Sequence, residues 1–441
     1  MSEKTSRIFL ILIFLSVCFT KVVTLPVAGQ KIQLTEMVFL LFAPFLFSSF
    51  LKLKSTGNPP DLLLPRGGGR RVDILTFILL AAVFLSALAA GQSTAWFEFA
   101  GLVYLVALHW AVRLAAWPQA DFQKWIKWMG GAAAVTALAS LLLHYSGLEQ
   151  AFGWELTDQK YLPGFGMLAR AEGLTMSPNQ LADILVLALI VHQAHLFYDA
   201  KKSWDKWTLL LLAGAVCTFS KMLLLLVAGL LLLPVFLKKS GRYRTTHVVL
   251  ASGFILFFLI NTHILWLSAR DLNALQPQSY VGEAVFFQNE KGSLVGTTYL
   301  DLKISALRAV AQHPVFGLGG GNFIHHVGEE QKAGLYPANL PAFDPHSTIF
   351  GLPAEQGLIV FLVFCGWIFY LFRLFWKTNL ADFEDRKSLV AGLTIYFTLW
   401  LINCLAMDTL NARHFWLALG AFLSVVYFKN KNTLAAKIER K

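Results

Sequence analysis

Residues 340–367 read LPAFDPHSTIFGLPAEQGLIVFLVFCGW, a polar, proline-containing run that turns apolar within a few positions. His346 and Ser347 lie at the junction, and Glu355 and Gly357 follow on its apolar side. About twenty consecutive apolar residues suffice to cross the hydrocarbon core of a bilayer as a helix. The stretch therefore predicts a membrane-spanning helix that carries ionisable side chains near one end.

Similar apolar runs recur along the whole chain. Of its 441 residues, 56% are hydrophobic and only 14% are charged, unlike a soluble domain of this length. We therefore predict an all-α, polytopic integral membrane protein with about twelve transmembrane helices. The predicted spans are 8–29, 33–51, 73–90, 96–112, 126–145, 179–198, 207–219, 222–237, 247–268, 350–372, 389–407 and 414–428.

The formal net charge of +11 could indicate a nucleic-acid partner or an anionic surface. The distribution of the basic residues along the chain distinguishes these partners from a charge that reflects membrane topology. Lys and Arg concentrate in alternate loops, among them KKSWDK (201–206) and KKSGRYR (238–244), and in the tail 429–441. This is the positive-inside pattern of membrane proteins. It predicts that both termini are cytoplasmic, that the bilayer is a partner and that nucleic acid is not. The N-terminal apolar run lacks a convincing cleavage site and is interpreted as the first retained span.

Two segments on the opposite, outer side are long, 146–178 and 269–349. Loops of this length are usually functional or disordered, and their aromatic residues and glycines favour function. Within the second, residues 297–313 place Leu300, Ile304, Leu307 and Val310 at helical spacing, which predicts a surface helix. The predicted organisation is one membrane domain, 1–441, whose parts are spans 1–9 (8–268), the outer loop (269–349), spans 10–12 (350–428) and a basic tail (429–441).

The outer side has few basic residues, and several lie at the membrane boundary. These are Arg170, Lys221, Arg308 and Arg413. Ionisable residues at membrane depth usually face a cavity or a partner, and clustered cations suit an anionic ligand such as phosphate. The alternative is that these residues make only local contacts and bind no ligand. In that case Arg170 pairs with Glu172 or a neighbouring carboxylate, and the Arg413 side chain extends to the membrane–water interface.

The run HPVFGLGGGNF (313–323) contains Gly317 and Gly319 and has two interpretations. Its backbone N–H groups could point together at an anion, or it forms a flexible turn, which is favoured. The pairs His192/His195 and His325/His326 lack the further ligands of a metal site. The sequence predicts neither a metal nor another cofactor.

His346 is the best-placed histidine, because it lies at the outer end of a predicted span. A neutral imidazole accepts a hydroxyl proton at physiological pH. In one straight helix Gly357 would share the face of His346 and leave room beneath the ring, whereas Glu355 would point nearly opposite. Pro353 could bend that helix.

These motifs together resemble the O-antigen ligase and O-antigen polymerase superfamily of bacterial membrane glycosyltransferases. HSTIFGLPAEQGLIV resembles the ligase signature of His, Asn/Ser/Gln, nine residues and Gly-x-x-Gly, with Val360 in place of the last glycine. HPVFGLGGGNF, RAEGLTMSPNQLA, FSKMLLL and ARHFWLALGAF resemble further elements of the family in the same order. Lys221 stands where an arginine is usual, and Tyr299 stands where an arginine often begins the surface helix.

The resemblance implies an inverting, metal-independent glycan transfer at the periplasmic face of the inner membrane. The donor would be a glycan on undecaprenyl pyrophosphate, and the acceptor would be lipid A–core or another glycan. His346 would be the general base, and Arg170 and Lys221 would hold the pyrophosphate, with Arg308 and Arg413 as further candidates. Ser347, Gly357, Gly317, Gly319 and Asn179 would shape the site.

The preferred function is that of a ligase, because of the histidine signature. A polymerase of the same superfamily is the first alternative. A secondary transporter also commonly has twelve spans and two cytoplasmic termini, but the halves of this chain show no similarity to each other. The long outer loop also fits poorly with symmetric alternating access.

Overall fold

The computed structural model is a bundle of helices with three small sheets at one end. It describes residues 3–21, 24–27, 30–55, 68–115, 121–162, 166–198, 204–236, 241–274, 281–377 and 386–438. Some of the basic residues used for the topology lie outside these ranges, namely Arg66, Lys201, Lys202, Lys238, Lys239, Arg440 and Lys441.

Helices account for 74% of the described residues, which confirms the predicted all-α membrane class. The helices are α1 (Glu3–Ser16), α2 (Leu34–Ser55), α3 (Gly68–Ala90), α4 (Ser93–Ala115), α5 (Phe122–Tyr145), α6 (Leu148–Ala151), α7 (Pro178–Tyr198), α8 (Lys206–Cys217), α9 (Met222–Phe236), α10 (Gly241–His263), α11 (Ala269–Ala274), α12 (Thr298–Gln312), α13 (Phe323–Lys332), α14 (Thr348–Lys377), α15 (Lys387–Asn403) and α16 (Arg413–Ile438).

Twelve of these helices overlap the twelve predicted spans, and α12 is the predicted surface helix. Within the described part of the chain, six helices are long and apolar enough to cross a membrane, namely α3, α4, α5, α7, α10 and α14. Shorter apolar helices lie in or form α2, α8, α9, α15 and α16. The exact number of spans stays a prediction.

The strands were not predicted. They are β1 (Thr24–Val27), β2 (Gln30–Gln33), β3 (Thr157–Leu162), β4 (Gly166–Ala171), β5 (Ile264–Ser268), β6 (Val281–Asn289) and β7 (Gly292–Thr297). The pairs β1–β2 and β3–β4 are antiparallel hairpins, and β7 pairs antiparallel with both β5 and β6. These short pairings satisfy backbone groups that irregular loops would leave to water.

Two predicted span boundaries are wrong because strands begin there. The first span was placed at 8–29, but α1 and its terminal 3-10 turn end at Phe19, and β1 follows. Pro26 and the β-branched residues around it disfavour helix. The ninth span was placed at 247–268, but α10 ends at His263, because the next five residues form β5 and pair with β7.

Helix α7 lies at the buried centre of the bundle. Of its most apolar stretch, 78% is buried inside the protein. It packs against α5, α8, α9 and α15. His414 Nε2 lies 2.9 Å from an Asp183 oxygen and ties α16 to α7. Arg113 donates to Asp73 over 2.6 Å and ties α4 to α3. Each of these polar side chains would be unfavourable to bury without a partner in an apolar interior, and its pairing offsets that free-energy cost.

The surface helix α12 packs on the rest of the protein through one face and leaves the predicted apolar residues Ile304 and Leu307 exposed. Leu302, Ala306 and Ala309 are fully buried, whereas Ile304 and Leu307 are 40% and 57% exposed. The smaller residues face α13 and α14, where they allow close approach. This packing fixes α12 over the beginning of α14, next to the predicted catalytic histidine.

Candidate active site

The loops that carry the predicted site residues meet at one end of the bundle, here called the site end. It comprises residues 146–162, 166–177, 218–221, 264–274, 281–347 and 404–412. Arg170 Nε donates to the Thr218 carbonyl over 3.1 Å, and Ser347 Oγ donates to the Cys404 carbonyl over 2.9 Å. These bonds join segments that are far apart in the chain.

At the site end, His346 forms a pair with Asp344. The His346 Nδ1 lies 2.6 Å from Asp344 Oδ1, and the same oxygen accepts the backbone N–H of His346 over 3.1 Å. Burial would raise the pKa of Asp344, but the hydrogen bonds from His346 and the charge of its ring lower it overall. An ionised carboxylate on Nδ1 holds that proton there and leaves Nε2 as the acceptor nitrogen.

Residues 346–357 do not form the single straight helix considered above, because His346 lies before α14 and Gly357 interrupts that helix. His346 precedes α14 and has a φ of 42°, a left-handed conformation that is uncommon for a residue other than glycine. Ser347 Oγ accepts the Phe350 N–H over 3.3 Å and so caps the beginning of α14. The histidine is therefore held by a local turn and by the helix cap, and strained backbone of this kind is often found at functional sites.

Aromatic rings enclose the imidazole on two sides. The Tyr299 ring stands edge-on to His346 at 5.2 Å between centroids, and the Phe343 ring lies at 5.6 Å. The His346 side chain stays 34% exposed. The ring is thus restrained in orientation, and a reactant can still reach it.

Arg170 lies at the centre of a group of polar contacts on the β3–β4 hairpin. Its guanidinium donates over 3.1 Å to Asn179 Oδ1 and over 3.3 Å to Asp158 Oδ2, the residue opposite it in the hairpin. Ser220 Oγ donates to the same Asn179 oxygen over 2.8 Å. Arg170 therefore pairs with a neighbouring carboxylate, Asp158 rather than Glu172, and Asn179 links it to the turn before Lys221.

Lys160 and Lys221 complete a cluster of cations with Arg170. The Lys221 amine donates to the Asn261 carbonyl on α10. Burial, followed by the charges of Lys160 and Arg170, lowers the pKa of Lys221 to about 7. Burial and the charge of Arg170 lower the pKa of Lys160 to about 8. Cations that lower one another's pKa in this way repel each other. An anion bound between them would be stabilised by their combined positive charge.

A fourth cation, Lys303 on α12, lies near the same Tyr299 ring that contacts His346. Its side chain is almost fully buried, and its amine lies 3.4 Å from the Tyr299 carbonyl and about 6 Å from the centres of the Tyr299 and Phe350 rings. Burial lowers the pKa of Lys303 to about 7. Among the described residues, no carboxylate lies within ion-pair distance of it. His263 is within electrostatic range of both Lys303 and Lys221.

The other two predicted cations lie elsewhere. Arg308 forms an ion pair with Glu330 at 3.0 Å and donates to the Leu335 carbonyl. Arg413 donates to Glu36 over 2.7 Å, so it ties α16 to α2. Both guanidinium groups have carboxylate partners away from the cluster around Arg170, and the structure does not bring them together with it.

The glycine-rich run 313–323 forms a turn that packs on a kink in α14. Gly357 interrupts that helix with a φ of 86°, and a Cβ there would lie 2.0 Å from the Val315 carbonyl oxygen. The Gly319 N–H donates to the Glu355 carbonyl over 2.7 Å, and the Gly317 N–H donates to His313. Since these two amides are already paired with backbone carbonyls, the turn interpretation fits, and the Phe323 N–H of the same run donates to a carboxylate oxygen of Glu355 over 3.4 Å.

A cavity of about 280 Å³ opens on the side of Asp344 away from the cations. Three further carboxylates line it, from Glu98, Glu355 and Asp408. The site end is therefore electrically asymmetric, with cations on one side of the Asp344–His346 pair and carboxylates on the other. Among the described residues, no group of three or more His, Cys, Asp and Glu side chains is arranged to hold a metal ion.

Asp344, Lys160 and Lys303 were missed as site residues at the sequence level. The spacing Asp-Pro-His (344–346) is a signal for Asp344, because an aspartate often bonds to the backbone two residues on. Lys160 and Asp158 share a face of β3, but the hairpin itself was not predicted. Lys303 had no signal, since its burial depends on how α12 packs.

Together the fold and the site define a multi-pass helical membrane protein with a histidine–carboxylate pair beside buried cations. Residues 207–365 match the family described as O-antigen ligase. This match confirms the resemblance to the O-antigen ligase superfamily that was found in the sequence. The matched region includes Lys221, Lys303, Asp344 and His346. A comparison with curated proteins gives no match.

This family supports a general function of the O-antigen ligase or polymerase type in a bacterial membrane, with lipid-linked glycans as substrates.

Proposed function

We propose that the chain is an O-antigen ligase, which transfers a glycan from undecaprenyl pyrophosphate to a sugar hydroxyl of lipid A–core. The observation that carries this proposal is the Asp344–His346 pair, with Nδ1 and Oδ1 2.6 Å apart, next to a buried cation cluster. The positive-inside pattern supports a location of the site end on the periplasmic face of the inner membrane.

His346 is the proposed general base. Asp344 accepts the Nδ1 proton, so Nε2 takes the proton of the acceptor hydroxyl as its oxygen attacks the anomeric carbon of the donor. Asp344 then stabilises the imidazolium that forms. A base of this kind typically contributes about 10²–10⁴-fold to the rate.

The cations act on the leaving group. As the bond from the anomeric carbon to the pyrophosphate oxygen breaks, negative charge develops on the pyrophosphate. Arg170, Lys221 and Lys303 are placed to stabilise it. Because the protein supplies this positive charge itself, the proposed reaction requires no metal. The base and the cations act from opposite sides of the anomeric carbon, so a single displacement inverts its configuration.

The test is His346→Gln in purified protein reconstituted in nanodiscs, with a lipid-linked glycan donor and lipid A–core as acceptor. Transfer should fall by about 10²–10⁴-fold, while binding of the donor, measured separately, should change little. The matched control is His325→Gln, because His325 is 76% exposed on α13 and lies outside the cluster. If the His346→Gln variant transferred glycan at the wild-type rate, His346 would not be the general base. Transfer to a second lipid-linked glycan instead of lipid A–core would identify a polymerase.

A further inference from the structure

The three-stranded sheet of β5, β7 and β6 stands at the end of a lipid-facing helix. Helix α10 is long and apolar enough to cross a membrane, and only 17% of its most apolar stretch is buried inside the protein. Its exposed apolar residues include Phe257 and Ile260, in the last turns before the helix ends at His263. Strand β5 starts at the next residue, Ile264, so the sheet begins at the membrane boundary.

The register of the sheet gives each of its rows a level above the end of α10. The first three rows are Ile264 with Gly296, then Leu265 with Val295 and Val285, then Trp266 with Leu294 and Phe287. Because a strand rises by about 3.3 Å per residue, Trp266 lies at most about 10 Å beyond His263. The headgroup layer of a bilayer is about 5–8 Å thick on each side. These three rows therefore lie within that layer or directly next to it.

Large apolar side chains are exposed in the second and third rows. Trp266, Phe286 and Phe287 are 45%, 53% and 52% exposed, and Val285 beside them is also exposed. The shift in register between Val285 and Phe287 makes Phe286 an extra residue on β6. The rings of Trp266 and Phe287 stack across the sheet, with 6.4 Å between their centroids. These four residues are called the aromatic patch below, and an exposed patch of this kind marks a site of interaction with a protein or a membrane.

The exposed side chains become polar in the rows farther from α10. Gln288 directly follows Phe287, and Glu290 and Lys291 form the turn between β6 and β7. At the same end of the sheet, Arg270 is exposed on α11, which follows β5. The bilayer surface imposes such a change from apolar to polar at one level above a spanning helix. A contact with a second protein would not require the apolar residues to end at that level.

The sheet also connects α10 to the helix that lies next to the candidate active site. Thr297, the last residue of β7, donates its hydroxyl proton to the Thr262 carbonyl on α10 over 2.8 Å. Helix α12 starts at the next residue, Thr298, and carries Tyr299 and Lys303. The level of the sheet relative to the membrane therefore sets the level of α12.

We propose that the aromatic patch inserts into the headgroup layer of the bilayer at the site end, with membrane phospholipids as its partner. Tryptophan is enriched at this depth in membrane proteins, because its ring is amphipathic. The sheet is then a membrane anchor that holds α12 at the lipid surface. This inference goes beyond the proposed function, since it requires no particular glycan donor or acceptor.

The test measures the depth of single spin labels in liposomes of phosphatidylcholine and phosphatidylglycerol. One label is attached through Phe287→Cys. The matched control is Glu290→Cys, at the far end of the same hairpin. Both are made in a chain with Cys217→Ala and Cys365→Ala, while Cys18 and Cys404 are fully buried and remain.

A label at position 287 should collide often with oxygen, which concentrates in lipid, and rarely with a water-soluble nickel complex. The label at position 290 should show the opposite order. Equal access of the nickel complex to both positions would place the aromatic patch in water and overturn the proposal. Rare collisions with both reagents at position 287 would mean that a second copy of the protein covers the patch, and this result would also overturn it.

A second measurement needs only a conservative variant. The emission that Trp266→Phe removes from the fluorescence of the chain is the emission of Trp266. Phospholipid brominated near the headgroup should quench this emission strongly, and phospholipid brominated near the end of the acyl chain should quench it less. If neither lipid quenched it, the aromatic patch would not lie in the bilayer, and the proposal would be wrong.

Discussion

The substitution Asp344→Asn tests how the structure activates His346. The change keeps the size of the side chain and removes its charge. Two consequences follow from the 2.6 Å contact with His346 Nδ1. The imidazolium formed during transfer loses its counter-charge. In addition, an asparagine amide can donate to Nδ1, and this favours the tautomer that carries its proton on Nε2, where the base is needed.

The expected size of the effect follows from the distance and the exposure. Opposite charges about 4 Å apart interact by about 4 kcal/mol near a protein surface and by about 1 kcal/mol in water. The Asp344 side chain is 50% exposed and that of His346 is 34% exposed, so solvent screens the pair and the lower half of this range applies. We therefore expect kcat to fall by about tenfold to hundredfold.

The assay is single-turnover transfer in nanodiscs at saturating donor and acceptor, with donor affinity measured separately. Asp344→Asn should lower kcat and leave the affinity for the donor near the wild-type value, because the cations lie on the other side of His346. Glu329→Gln, at an exposed position on α13, serves as the control. If Asp344→Asn retained the full kcat, the proposed role of Asp344 would be wrong, and His346 would act without it.

Two further predictions concern charge and backbone. The pKa of Lys221 is about 7, and an anion binds best to its protonated form. Donor affinity should therefore weaken as pH rises from 6 to 8, and Lys221→Arg should flatten this dependence, because arginine stays charged; an unchanged slope in a binding titration would contradict the assignment. Gly357→Ala should lower the unfolding free energy by about 1–3 kcal/mol or more, because its φ is 86° and a Cβ would meet the Val315 carbonyl. Gly366→Ala in the same helix meets no other atom, and an equal melting temperature for the two variants would contradict this reasoning.

Much of the architecture was predictable because a bilayer imposes strict limits on composition and helix length. Twelve helices overlap the predicted spans, and the surface helix α12 covers Thr298–Gln312. The sequence did not predict the strands. Whether a short segment such as Ile264–Ser268 continues a helix or forms a strand depends on its partner β7, which lies about 30 residues away in the chain.

Within the candidate site, the sequence singled out residues with unusual chemistry at the membrane boundary, His346 and Arg170 among them. It could not tell which cations converge. Arg308 and Arg413 have the same chemistry as Arg170, yet their ion pairs with Glu330 and Glu36 place them elsewhere. Lys303 had no sequence signal of its own, because its burial depends on the packing of α12 over α14.

The sequence by itself therefore determined the class of protein, its resemblance to the O-antigen ligase superfamily and the choice of the histidine on which the proposed chemistry depends. These follow from local composition and from the order of short motifs. Only the tertiary structure decided the partner of that histidine and the membership of the cation cluster. Each of these depends on distances between residues that are separated in the chain, or on a turn such as that at Asp344, whose geometry is set by the helix that follows it.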